Sequence, residues 1–120
     1  MTVSVDVWLR GDDHATTEMI EGIPRAPREW TDEDVRLVLE GMLRAMDRLR
    51  RPGAESREIV LRGLSWIVNP YEDGGVVIAI EITLGAAIAG PFDIDKSGLE
   101  AMITRVLAQP VAPGHSPTIH

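Results

Sequence analysis

Apolar residues along the chain recur at two different periods. Val76, Ile78, Ile80, Ile82 and Leu84 occupy every second position, with Val77, Ala79, Glu81 and Thr83 between them. Only a pleated strand puts alternate side chains on one face, so the spacing predicts a strand over 76–84. Val3, Val5, Val7 and Leu9 alternate in the same way with Ser4, Asp6, Trp8 and Arg10, which predicts a strand with one apolar face. Gly11-Asp12-Asp13-His14 has turn composition, and Thr16–Glu21 reads as a weaker returning strand. Glu58–Asn69 is also strand-like, and Pro70–Gly75 joins it to 76–84 as a hairpin. In that run Ile59 and Leu61 lie on one face, whereas Leu64, Trp66 and Val68 lie on the other. Gly63 stands between them, so either a bulge there switches the face or the strand is covered on both sides. Leu84–Phe92 is small and apolar and predicts a further short strand.

The second period is helical. Val35, Val38, Leu39, Met42, Met46 and Leu49 form one stripe. Thr31 precedes it as an N-cap with Asp34 at the capping-box position, Asp32 and Glu33 favour the positive helix start, and Pro52-Gly53 ends the run. A second helix carries Leu99, Met102, Ile103 and Val106 and is capped by Asp93 or Asp95. From Gln109 the chain holds three prolines and no period, so residues 109–120 read as a tail that stays disordered unless a partner orders it. The order β(β)αββ(β)α therefore predicts one α+β domain over residues 1–108. It would be a two-layer sandwich, with an antiparallel sheet of about four strands and two amphipathic helices on one face.

Composition narrows the function classes. Nineteen acids against twelve basic residues leave a net charge of −7, which argues against nucleic acid, whose binding needs cations to displace phosphate counterions. The charge is uneven. Residues 1–43 carry ten acids and four bases, residues 44–62 carry six arginines against three acids, and residues 63–120 carry six acids and two bases. Cysteine is absent, so disulfides and thiolate chemistry are excluded, which fits a reducing cytoplasm. The first residues lack a basic segment followed by an apolar run, so no secretory signal is expected. Val76–Ile94 is the nearest approach to a membrane span, but Glu81, Gly85, Gly90, Pro91 and Asp93 interrupt it.

Candidate chemistry is sparse. Asp12, Asp13 and His14 are the only acid–imidazole cluster, and with a further ligand such as Glu18 they would hold a divalent metal or supply a general base. Adjacent residues point in different directions, however, and Asp with Gly is ordinary turn chemistry. Asp93 and Asp95 form a carboxylate pair that equally serves as helix capping. His115 and His120 lie in the tail without a scaffold. No nucleophile elbow and no phosphate-cradling glycine motif is present. Arg44, Arg48 and Arg51 share a helix face at spacings of four and three and could grip an anion, although Glu40–Arg44 and Asp47–Arg51 also stand at ion-pair spacing.

One helix layer cannot cover both faces of a sheet. The uncovered side carries Trp8, Val77 and Ala79 and, depending on Gly63, either Val60, Leu64, Trp66 and Val68 or Ile59 and Leu61, and it is the natural place for a partner. The expectation is a small acidic non-enzymatic binding or assembly module, adaptor-, chaperone- or immunity-like. It would need no cofactor, and it would pair with a second copy through the sheet or bind another protein, with Trp8, Arg44, Arg48, Arg51 and Trp66 as candidate interaction residues. The rival classes are a small enzyme or metal binder using Asp12-Asp13-His14 and an anion binder using the three arginines.

Overall fold

The computed structural model describes residues 1–53 and 59–109. Strand β1 spans Val3–Leu9 and β2 spans Thr16–Ile20; after a 3-10 turn at Pro27–Glu29 comes helix α1, Asp32–Arg50. Then follow β3 (Ser65–Pro70), β4 (Val76–Ile82), β5 (Gly85–Phe92) and helix α2, Lys96–Ala108. Both of the weaker strand signals are realised, so the sheet has five strands rather than about four. Every neighbouring pair is antiparallel, in the order β2-β1-β5-β4-β3. The last strand of the chain's meander, β5, thus inserts beside β1 and becomes the centre of the sheet.

Helix α1 begins where its capping chemistry dictates. The Asp34 backbone N–H donates to the Thr31 hydroxyl, and the Asp34 carboxylate accepts from the Thr31 N–H in return. Asp34 is almost wholly buried, and Arg25 Nη1 donates to it at 2.6 Å. Burial pushes this carboxyl upward, but the Thr31 N–H, the Arg25 guanidinium and the Thr31 hydroxyl together hold it below the ordinary Asp value. For α2 the cap is Asp95, which accepts from the Gly98 N–H at 2.9 Å. Asp32 at the start of α1 grips Arg105 near the end of α2 through two bonds of 2.9 Å, and those bonds lower the Asp32 carboxyl.

The core lies between the helices and one side of the sheet. Val3, Val5, Val7, Val68, Ile78, Ile80, Ala87 and Ala89 meet Val35, Val38, Leu39, Met42 and Met46 of α1 and Leu99, Ile103 and Val106 of α2. Trp30 packs edge-on against Phe92 at 4.8 Å. Gly41 lets α1 approach β2 closely, because a Cβ there would fall 2.7 Å from Ile20 Cδ1.

The ambiguity at Gly63 is resolved without a bulge there. Ile59 to Leu64 run outside the sheet, Gly63 takes a left-handed φ of 68°, and pairing with β4 begins only at Ser65. Trp66 stands opposite Ile80 and Val68 opposite Ile78, which puts both on the helix side. The sheet's irregularity falls instead between Val76 and Ile78 of β4, against β5. Glu58 and the tail beyond Gln109 lie outside the described residues. Among the described residues no helix is long and apolar enough to cross a membrane.

Candidate functional site: the open face of the sheet

Strand pairing assembles the uncovered face row by row. The middle row reads Thr17, Asp6, Ile88, Ala79, Ile67 from β2 to β3. The row beside it reads Trp8, Ala86, Glu81, Ser65 across β1, β5, β4 and β3. On the opposite flank Met19 pairs with Ser4, and Val77 with Asn69. Alternation forces these residues outward, since Val5, Val7, Ala87, Ala89, Ile78 and Ile80 take the other side. Both helices pack on that other side, and this face has no cover within the described residues.

The result is an apolar band on an open surface. Ile67 is 51% exposed, Met19 50% and Ile88 36%, while Trp8, Ala79, Ala86 and Val77 are half-buried among their neighbours. Charge on β1, β4 and β5 is limited to Asp6 and Glu81, with Arg10 just past the end of β1. Asp6 accepts from the Thr17 hydroxyl at 2.7 Å, and Arg10 Nε donates to the Thr83 carbonyl at 2.9 Å. Contiguous exposed apolar residues on a small protein mark a contact surface more often than scattered ones do.

The other predicted sites are divided by the fold. Asp12, Asp13 and His14 sit exposed in the β1–β2 turn, and no group of three metal-ligating side chains forms among the described residues. Asp93 pairs with Arg28 at 2.9 Å, so it and the capping Asp95 are already engaged in structure. The arginine face is likewise split. Arg48 binds Glu18 of β2 at 3.0 Å, and Arg51 binds Asp47 at 3.1 Å. Arg44 takes no ion pair among the described residues, and its spacing to Glu40 does not become a bond. Arg44 and Arg48 line one shallow groove of about 210 Å³ between α1 and β2, together with Glu21, Glu40, Met19 and Leu37. Two carboxylates beside two guanidiniums, one of them already paired, make a charge-balanced crevice rather than an anion site. His115 and His120 lie outside the described residues.

Trp8 therefore belongs to the open face, and Trp66 does not: it is half-buried on the helix side. Sequence reasoning missed Ile67 and Ile88. The one available signal was Ile88 itself, a large residue out of phase with Ala87 and Ala89, but its meaning depends on which strands flank β5. A comparison with protein-family models, with curated proteins and with solved structures finds no match to this chain, so the reading stands on its own residues.

Proposed function

We propose that this protein is a small acidic protein-binding or assembly module, non-enzymatic, that works through the open face of its sheet. The observation that carries this reading is the band of Trp8, Ile88, Ala79, Ile67 and Met19, left on one side of a sheet whose other side packs against both helices. An uncovered apolar sheet face is retained at a cost in solubility, and covering it with another protein removes that cost. The polar chemistry elsewhere supports the same view, because Asp34, Asp32, Asp93, Asp95, Arg48 and Arg51 are committed to caps and ion pairs of the fold itself. A cysteine-free, acidic chain fits a reducing cytoplasm as its location.

Site-specific photo-crosslinking tests the proposal. A photoreactive residue at position 88 should yield covalent protein adducts in the cells that make the protein, whether to itself or to another chain. The same residue at Glu100, on α2 at the far side, should not. Equal yields at the two positions, or none at position 88, would remove the open face as a binding surface.

A further inference from the structure

We infer that the occupant of the open face is a second copy of this chain, related by a two-fold axis that runs along β5. The inference rests on the binding-module reading and names its partner. Three observations lead to it, and the first is area. Five strands spaced about 4.8 Å apart span roughly 24 Å, and seven residues at about 3.3 Å each span roughly 23 Å, so the face offers on the order of 550 Å². Two such faces bury about 1,100 Å² together, above the roughly 1,000 Å² that separates specific interfaces from incidental ones.

The second observation is symmetry. When two sheet faces meet through a dyad, the axis lies in the plane of the interface. Because β5 is the central strand, an axis along it lays β1 over the partner's β4 and β2 over the partner's β3. Ile88 then meets the partner's Ile88 on the axis. Asp6 faces the partner's Ala79, and Ile67 faces the partner's Thr17. No carboxylate is stacked on its own copy, as Asp6 would be if the axis crossed the strands at the middle row. The natural twist of two aligned sheets, about 30°, leaves these pairings as neighbours.

The third observation is charge. The protein carries −7, yet among the described residues the strands present only Asp6 and Glu81 on this face, with Arg10 just past the end of β1 and Glu21 just past the end of β2. Neither Arg10 nor Glu81 has an ion-pair partner among the described residues, and only the Arg10 Nε is engaged, by the Thr83 carbonyl. With the axis along β5, the partner's Arg10 comes over the end of β4, two residues from Glu81. Each interface thereby gains two Arg10–Glu81 pairings across the dyad, and Asp6 keeps its Thr17 hydroxyl. A self-complementary arrangement of opposite charges around an apolar centre is what an isologous interface requires.

Sedimentation equilibrium across the micromolar range reads the outcome, with circular dichroism confirming that each variant is folded. The wild type is expected as a monomer–dimer equilibrium, and Ile88→Arg as a folded monomer. Arg10→Glu and Glu81→Arg should each raise the dimer dissociation constant on the order of tenfold, and the double variant should return it toward the wild-type value. A wild type that stays monomeric overturns the inference. So does a dimer that tolerates Ile88→Arg, or a double charge reversal that restores nothing. If the wild type is monomeric while position 88 still crosslinks to a different protein, the binding-module reading survives and the self-association does not.

Discussion

Replacing Gly41 with Ala pits helix propensity against packing, and the sign of the result depends on one neighbour. In an unconstrained helix interior Gly→Ala is worth about 1 kcal/mol in favour of the folded state. Here the new Cβ would sit 2.7, 2.8 and 2.9 Å from Cδ1, Cγ2 and Cγ1 of Ile20. Rotating χ2 of Ile20 moves only Cδ1. Rotating χ1 exchanges Cγ1 and Cγ2 and drives a branched side chain off its preferred well. Ile20 is 7% exposed and held between β1 and α1, so the helix itself must move away from the sheet. Overpacking of this kind costs about 1–3 kcal/mol, which offsets or exceeds the propensity gain. Gly41→Ala should therefore destabilise the protein by up to about 2 kcal/mol. In an Ile20→Ala background all three clashing atoms are gone, and the same Gly41→Ala substitution should stabilise by about 0.5–1 kcal/mol. The interaction energy of the cycle is then about 1–3 kcal/mol. Urea unfolding of the four proteins, followed by circular dichroism at neutral pH, measures it. If Gly41→Ala stabilises the wild-type background as much as it does the Ile20→Ala background, α1 does not approach β2 as closely as described.

Two further outcomes follow from the charges. The Asp34 and Asp32 carboxyls sit below their ordinary value, so the stability they contribute is present above the unfolded Asp pKa of about 3.9 and is lost as pH falls through the lower folded values. Asp34→Asn should cost about 1–2 kcal/mol at neutral pH and flatten the loss of stability on acidification; an acid-unfolding slope identical to wild type would show that the Arg25–Asp34–Thr31 cluster does not act this way. For the Asp12-Asp13-His14 turn, divalent zinc, manganese or magnesium should leave the melting temperature unchanged, and a rise that disappears in His14→Ala would restore the metal-binding reading.

Most element types were legible in the residues because they depend on local spacing. Period two at 3–9 and 76–84, the stripe from Val35 to Leu49 and the Thr31–Asp34 box each act within a few residues, and each marks its element, although β4 stops at Ile82 because Thr83 and Leu84 form the turn into β5. The open face was legible only as an inequality: two helices, one covering layer, and alternating residues such as Val77 and Ala79 left over. Its composition depended on contacts far apart in sequence. β5 lies beside β1 because backbone groups some eighty residues apart pair, as Val5 does with Ala89, and no local period encodes that choice. That pairing carries Ile88 to the centre of the surface. The side taken by Trp66 was settled by its register with Ile80, since Gly63 permitted either outcome. The arginines followed the same logic. A helix face places Arg44, Arg48 and Arg51 together, but whether they greet a ligand or a neighbour depends on what the fold brings alongside, and β2 brings Glu18. Spacing along a chain sets which side chains share a face, whereas the packing of distant strands sets what that face meets.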